Sequence, residues 1–174
     1  SLAGAEIELV EVEKREFRLR DALQPVVDRY DYILIDCPPS LGLLTINGLA
    51  AARNGLVIPV QCEYLALEGL GQLMSTIQRV QTSIFPELSI RGVVLTMFVG
   101  RTNLARGVEA EVRRFFPEKV FNSIIPRSIA LAEAPSYGRP ISVYAPENIA
   151  GRAYQALARE ILEQDGVKLP AMPA

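Results

Sequence analysis

The sequence contains no histidine and two cysteines, Cys37 and Cys62, which lie far apart and show no Cys-x-x-Cys spacing. A zinc site and a His-based catalytic triad need residue types that this composition does not supply, so the sequence argues against both. Two isolated cysteines of this kind are expected to be reduced thiols that are largely buried.

The sequence also has no apolar run long enough to cross a bilayer. Its start shows no signal-peptide pattern. A soluble, cytoplasmic protein with no membrane contact is therefore expected. The chain begins at Ser1 without a methionine, from which we expect a truncated start. Its 174 residues, 49% of them hydrophobic, suit a single domain over 1–165 followed by a disordered tail over 166–174.

The net charge of −2 does not by itself indicate a nucleic-acid-binding protein, but the charges are unevenly distributed. Five glutamates crowd residues 6–16, whereas basic residues accumulate in the second half of the chain. These basic residues are Arg101, Arg106, Arg113, Arg114, Lys119, Arg127, Arg139 and Arg152. Local basic surface can bind phosphates on an acidic protein, although a solvated helix face is the simpler interpretation of any single residue.

Short apolar runs alternate with longer amphipathic segments, which predicts an α/β fold with βαβ units and a mostly parallel sheet flanked by helices. The predicted strands are 32–35, 56–60, 92–97 and 120–125. Apart from the last, they are nearly continuous in Ile, Leu and Val, which is typical of strands buried on both faces.

Apolar residues recur at three- and four-residue steps in the segments between these strands, which predicts amphipathic helices. The stripes lie over about 65–83, 104–115 and 149–161. An earlier helix over about 16–29 contains Pro25, whose ring clashes with the carbonyl of Asp21, so a kink or restart is expected there.

The first predicted strand ends in Asp36, followed by Pro38 and Pro39. An aspartate at the carboxyl edge of a parallel sheet can hold Mg²⁺ through a water beside a nucleotide. The two prolines would stiffen the exit from the strand, and Gly42 offers a hinge. A simple turn former after a strand explains the same spacing equally well. Because the ends of the other predicted strands would meet at the same edge, a nucleotide crevice is the better hypothesis.

Several segments, in order, resemble the ParA/Soj family of DNA-partitioning ATPases, and together they cover nearly the whole chain. Residues 31–42 (DYILIDCPPSLG) are similar to the family's Walker B and switch segment, and 59–69 (PVQCEYLALEG) to the segment that follows it. The match continues through 96–97 (TM), 101–104 (RTNL), 125–127 (IPR) and 133–136 (EAPS), and residues 2–6 (LAGAE) resemble the run upstream of Walker B.

The resemblance implies a P-loop NTPase-like, three-layer αβα fold and an ATPase that uses ATP and Mg²⁺. It also implies a homodimer formed around ATP, binding to DNA without sequence preference, a ParB-type partner, and a cytoplasmic, nucleoid-associated location. By position, Asp36 would be the Walker B aspartate that serves the magnesium ion and catalysis. The nucleotide-binding positions that it implies are Asp36, Pro38, Pro39, Met97, Pro126 and Arg127, and the DNA-binding position is Arg101.

Two departures from the family pattern matter. The family's phosphate-binding loop, Lys-Gly-Gly-x-Gly-Lys-Thr, does not occur in these residues, and neither does any Gly-x-x-x-x-Gly-Lys-Ser/Thr. We therefore expect the strands and loop that precede Walker B to be absent, this chain alone to be inactive towards ATP, and a sheet edge to be exposed. A DNA-binding arginine found in some relatives corresponds to Ala130 here, which puts the detailed DNA footprint in doubt.

Related proteins with other functions are alternatives. A MinD-like cell-division ATPase anchors by a basic amphipathic C-terminal helix, and residues 163–170 have no such face. A nitrogenase-iron-protein-like reductase needs cluster cysteines in particular loops, and Cys37 directly after Asp36 does not match them. An orphan ATPase that positions another cargo and a non-catalytic interaction module are not separated from a chromosome- or plasmid-partitioning ATPase, because partners determine the cargo.

Overall fold

The structure, a computed structural model, describes residues 2–38 and 42–169. Its α-helices are α1 (Leu2–Glu8), α2 (Arg18–Leu23), α3 (Leu43–Ala51), α4 (Ala66–Ser83), α5 (Asn103–Phe115), α6 (Ile129–Glu133), α7 (Ile141–Tyr144) and α8 (Ile149–Gln164). Short 3₁₀ helices are formed by Leu9–Glu11, Arg15–Phe17, Gln24–Arg29 and Ala134–Tyr137. The strands are β1 (Leu56–Gln61) and β2 (Ile90–Thr96).

Strands β1 and β2 pair in parallel, because their hydrogen-bond partners advance in the same direction from Leu56 N–Ser89 O to Cys62 N–Thr96 O. On the other side of β2, residues 120–126 run parallel to it and form two isolated bridges, Val93–Val120 and Phe98–Pro126. Parallel strands connected through helices confirm the expected α/β class.

The chain divides into two compact units. The first contains Ser1–Leu56 and Gly71–Arg91, and the second contains Val57–Leu70 and Gly92–Ala174. The expectation of one domain over 1–165 stays a prediction. The tail predicted over 166–174 is described to Leu169, and its remaining residues lie outside the described part of the chain.

In the first unit, the buried side chain of Asn47 joins helix α3 to the chain before it. Its amide oxygen accepts a hydrogen bond from Leu19 N at 3.0 Å. Its amide nitrogen donates to Arg15 O at 2.8 Å and to Leu43 O at 3.0 Å. All the donors and the acceptor of this amide are therefore used, as a buried polar group requires.

In the second unit, a cluster of buried apolar residues comprises Val94, Phe121, Ile125 and Leu157. Phe121 lies against Gly92 of β2, where a Cβ atom would come within 2.4 Å of the ring. The apolar stripe of α8 contributes Leu157 and, at its edge, Ala153 and Ile161. Residues on β2, the 120–126 segment and α8 thus share one core.

The predicted helices are confirmed. The stripes over 65–83, 104–115 and 149–161 correspond to α4, α5 and α8. The helix expected over 16–29 is interrupted near Pro25, as predicted. Helix α2 ends at Leu23, and a 3₁₀ helix follows over Gln24–Arg29. Proline lacks an N–H group and excludes the α-helical hydrogen bond to Asp21 O, which accounts for the change.

The predicted strand over 32–35 was wrong, since the structure has no strand there. The segment is extended and exposed, with the Leu34 side chain 92% exposed. A strand is held by ladder hydrogen bonds to a neighbour, and the β-ladders of the described residues involve β1, β2 and 120–126 instead.

The strand predicted over 120–125 was correct in position and direction but wrong as a continuous strand. The backbone of Asn122 and Ser123 leaves the ladder between the two bridges, and both N–H groups donate to the Glu160 carboxylate.

The strand predicted over 56–60 was expected to be buried on both faces. In β1 the burial alternates instead, with Ile58 and Val60 buried and Val57 and Pro59 exposed. Strand β2 is buried continuously from Gly92 to Leu95.

Within the described residues, no helix is both long enough and apolar enough to span a membrane.

Candidate functional site

Asp36 lies in the first unit, in the extended segment that leads to helix α3. Its side chain is exposed, and no described residue donates a hydrogen bond to its carboxylate. Two contacts connect the residues next to it with α3. The Thr45 hydroxyl donates to Pro38 O at 3.4 Å, and the Cys37 thiol lies against Gly48.

The close contact at Gly48 favours glycine over a residue with a side chain. A Cβ atom on this residue would lie 2.5 Å from Cys37 Sγ and 3.4 Å from Ile35 Cγ2. Glycine inside a helix is unfavourable by about 1 kcal/mol relative to alanine, so its presence in the middle of α3 indicates a packing reason. Here the reason is the close approach of α3 to residues 35–37.

Burial raises the pKa of the Cys37 thiol, and the adjacent charge of Asp36 raises this pKa further. The thiol therefore stays protonated at neutral pH. A protonated thiol is a weak nucleophile and a poor metal ligand. The Asp36 carboxylate, rather than the neighbouring Cys37 thiol, is therefore suited to a hard cation.

The donor set fits magnesium held through water. Mg²⁺ prefers oxygen ligands, retains several waters, and is bound in proteins through one or two carboxylates together with substrate phosphates. The exposed Asp36 carboxylate supplies such an oxygen. No group of three or more His, Cys, Asp or Glu side chains is positioned to hold a metal ion in the described ranges, so a cage made only of protein ligands is not present there.

The second unit brings the carboxyl ends of β1, β2 and the 120–126 segment to one edge. The Thr96 hydroxyl donates to Val60 O at 3.3 Å across the end of the β1–β2 pair. Phe98 N donates to Ile125 O at 3.2 Å, and Arg127 N donates to Phe98 O at 3.1 Å. The three segments are therefore fixed relative to one another at this edge.

Met97 is located where β2 ends, and its backbone is left-handed, with φ of 53°. This conformation is uncommon for a residue other than glycine and is found disproportionately at functional sites. The bridge between Phe98 and Pro126 follows at once. The bridge thereby brings together Met97, Pro126 and Arg127, for which the family resemblance implies nucleotide binding, and Arg127 is exposed.

The proposed nucleotide-binding residues are divided between the two units. Asp36 and Pro38 belong to the first unit, whereas Met97, Pro126 and Arg127 belong to the second. Pro39 lies outside the described residues. Gly42 is extended and immediately precedes the first turn of α3.

Arg101 lies in the tight turn between β2 and α5. The turn is held by Thr102, whose hydroxyl donates to Val99 O at 2.9 Å and accepts from Ala105 N at 3.3 Å as the N-cap of α5. Arg106 Nε donates to Gly100 O at 2.8 Å. Arg101 is exposed and belongs to none of the ion pairs found among the described residues, so its charge faces solvent.

Sequence reasoning missed the residues that hold these segments in place. Gly48 could have been found, because glycine interrupts an apolar helical run without ending it. Asn47 and Glu160 carry no comparable signal, since a polar residue in a helix is usually exposed. Their long-range hydrogen bonds, to Leu19, Arg15, Asn122 and Ser123, join residues 28 to 38 positions apart in the sequence.

Comparison with known proteins gives consistent results. An AAA domain family model (AAA_31) matches residues 1–90, more than half of the chain. The "Chromosome partitioning protein ParA" of Myxococcus xanthus is 53% identical over 169 residues, covering 97% of this chain and 59% of the relative. The "Chromosome-partitioning ATPase Soj" of Treponema pallidum is 54% identical over 165 residues, covering 95% of this chain and 65% of the relative. The chain thus spans less than two thirds of either relative.

Among solved structures, the cobyrinic acid a,c-diamide synthase of Mycobacterium smegmatis with bound ADP and magnesium matches with a TM-score of 0.75. The two sequences are 34% identical, and the match covers 99% of this chain and 64% of that one. This likeness identifies the α/β fold as P-loop NTPase-like.

Proposed function

The chain belongs to the ParA/Soj-like ATPases of the AAA domain family, and on this premise we propose that it acts in ATP-driven DNA partitioning. The supporting observation is the identity above 50% with proteins named for chromosome partitioning, over 95% or more of this chain. Because the chain spans less than two thirds of those proteins, the activity is proposed for the full-length protein.

In this proposal Asp36 is the residue that holds Mg²⁺, through a water, and the ion would neutralise charge on the ATP phosphates. Its carboxylate is exposed at the end of the extended segment and is not occupied by a described hydrogen-bond donor. The exposed carboxylate is therefore accessible to a hydrated cation.

The segment around Asp36 and Pro38 is proposed to act as the nucleotide-sensing switch, together with Pro39 and Gly42. The Cys37–Gly48 contact and the Thr45–Pro38 hydrogen bond connect this segment to α3. A displacement of Asp36 would therefore also displace helix α3.

Met97, Pro126 and Arg127 are proposed to contact the adenine of the nucleotide. The bridge between Phe98 and Pro126 and the hydrogen bond from Arg127 N to Phe98 O support this role, because they hold this edge in place. A rigid edge reduces the entropy lost when a flat ring binds there.

DNA binding, dimerisation and partner binding are also proposed. Arg101 is proposed to bind DNA phosphates without reading the sequence, in a homodimer that forms around ATP and responds to a ParB-type partner. The exposed charge of Arg101 on a well-held turn supports phosphate binding. A protein with these partners would work in the cytoplasm, on the nucleoid.

A second candidate is an ATP-dependent amide synthase, because one solved relative is named a cobyrinic acid a,c-diamide synthase. Its 34% identity is well below the 53% and 54% of the partitioning proteins, so we favour partitioning. Cobyrinic-acid-dependent ATP consumption that DNA does not affect would favour the synthase instead.

ATP hydrolysis by the full-length protein with non-specific DNA tests the proposal. Asp36→Asn should lower the rate roughly 10–100-fold, since it removes a carboxylate that holds the metal through water. Asp31→Asn is the matched control, because Asp31 is an exposed aspartate in the same segment. Equal rates for the two variants, or no hydrolysis by the wild-type protein, would contradict the proposal.

A further inference from the structure

Ser128 directly follows Arg127, one of the residues proposed to contact the adenine, and it occupies the N-cap position of helix α6. A serine at this position usually turns its hydroxyl towards the backbone N–H groups of the helix that follows. The Ser128 side chain makes no such bond to α6. Its hydroxyl instead donates to Asn148 Oδ1 at 3.3 Å, so Ser128 is linked to a residue 20 positions later in the sequence.

Asn148, which accepts this bond, is the N-cap residue of α8. The same side-chain oxygen accepts a hydrogen bond from Ala150 N at 2.9 Å. The Asn148 backbone is held as well, since its N–H group donates to Ala145 O and its carbonyl oxygen accepts from Arg152 N, both at 3.0 Å. One oxygen of Asn148 thus joins the start of α8 to Ser128.

The start of α8 is firmly packed. Ala150 is 0% exposed, and Leu157, two turns further on, belongs to the buried cluster of the second unit. A Cβ atom on Gly151 would lie 3.0 Å from Ala145 O, so the first turn of α8 packs closely against the chain that precedes it. The helix can therefore serve as a fixed support for Ser128.

Residues 127–128 are consequently held from two sides. On one side, Arg127 N donates to Phe98 O at 3.1 Å, just after the end of β2. On the other side, the Ser128 hydroxyl donates to Asn148. The Arg127 side chain is exposed, so its position depends on the backbone that carries it.

We propose that Asn148 is a positioning residue for nucleotide binding, which acts through Ser128 and holds Arg127 at the edge where the adenine binds. This inference rests on the proposed function and adds to it a residue of α8 that acts without contacting the nucleotide. A group that is already in place loses less entropy when the ligand binds. Loss of the Asn148–Ser128 bond should therefore weaken ATP binding. Contacts to the base are the same in the ground state and the transition state, so KM should rise while kcat is unchanged.

Three variants separate this role from the capping of α8. Ser128→Ala removes the donor and leaves the cap intact. Asn148→Ser keeps the cap, because serine is as good an N-cap residue as asparagine, but its shorter side chain does not reach Ser128. Asn148→Asp keeps an acceptor oxygen at the same reach, and its negative charge suits a helix N-terminus. Ser142→Ala, at an exposed serine of α7, is the matched control.

The test measures KM and kcat for ATP hydrolysis by the full-length protein with non-specific DNA. Ser128→Ala and Asn148→Ser should each raise the KM for ATP about 3–10-fold and leave kcat unchanged. The double variant should be no worse than either single variant, because both changes remove the same bond. Asn148→Asp and Ser142→Ala should stay within about twofold of the wild-type KM.

An unchanged KM in either Ser128→Ala or Asn148→Ser would overturn the role of Asn148 and leave the proposed function standing. A lower kcat at constant KM would also overturn it, because a purely structural defect gives that result. Additive increases in the double variant would show that Ser128 acts on the nucleotide independently of Asn148, which again overturns the inference. Absence of ATP hydrolysis by the wild-type protein would instead contradict the proposed function, and this inference with it.

Discussion

At the scale of single residues, Gly48 determines how closely α3 approaches the Asp36 segment. Gly48→Ala places a methyl group 2.5 Å from Cys37 Sγ, so we expect a loss of stability of about 1–3 kcal/mol from overpacking. In a Cys37→Ala background the sulfur is gone, and the same change should be neutral or stabilising, because alanine favours the helix by about 1 kcal/mol.

Urea unfolding of the four proteins in this double-mutant cycle measures the coupling between the two residues. Gly107→Ala serves as the control, since its new methyl group meets nothing within 4 Å. Independent effects of the Gly48 and Cys37 substitutions would show that the contact does not constrain the segment.

Cys62 is buried in the second unit, and its pKa is raised from 9.0 to about 11, first by burial and then by the charge of Glu109. A folded-state pKa above the unfolded value stabilises the protein below about pH 9, and this contribution is lost as the pH rises towards about 11. The wild-type chain should therefore lose more stability over this interval than Cys62→Ala. Urea unfolding of both proteins at pH 8, 9, 10 and 11 measures this difference. Parallel profiles of stability against pH for the wild-type chain and Cys62→Ala would contradict the prediction.

At the scale of secondary structure, the 120–126 segment depends on one helix. The Glu160 carboxylate of α8 accepts hydrogen bonds from Asn122 N at 2.7 Å and Ser123 N at 3.0 Å, where the ladder to β2 is interrupted. Glu160→Ala leaves both N–H groups without this acceptor and should lower stability by about 1–3 kcal/mol.

Amide hydrogen exchange gives a local measurement of this effect, because Asn122 and Ser123 should lose protection while β2 keeps it. Glu163→Ala is the matched control: it lies on the same helix and is exposed, so its effect should stay within about 0.5 kcal/mol. Unchanged exchange at Asn122 and Ser123 would show that water satisfies these groups as well as Glu160 does.

At the scale of the whole molecule, the net charge of −2 means that DNA binding would depend on local cations. With ATP present, Arg101→Glu in the full-length protein should weaken binding to all sequences alike and reduce the salt slope of log K by about one. Arg29→Glu, an exposed residue of the first unit with the same change in charge, should have a smaller effect. Fluorescence anisotropy with labelled DNA at several salt concentrations measures these affinities. DNA binding that does not depend on salt would refute the role of Arg101.

The sequence by itself determined the elements whose signal is local. The stripe of α4 and the helical change at Pro25 follow from side-chain spacing and from the missing N–H group of proline. Strand β2 follows from an apolar run that is buried along Gly92 to Leu95. The ordered segments around Asp36, Met97 and Arg127 were sufficient to identify the family, because motif order is a property of the chain alone.

Only the tertiary structure decided the features that depend on distant neighbours. Residues 32–35 have the composition of a strand but form none, because a ladder also needs a partner strand beside it. The interruption between Val120 and Pro126 depends on Glu160, which lies more than 30 residues later in the sequence. Likewise glycine at position 48 is favoured by the position of the Cys37 sulfur rather than by α3 itself. Such contacts arise from packing in three dimensions, and local sequence patterns do not encode them.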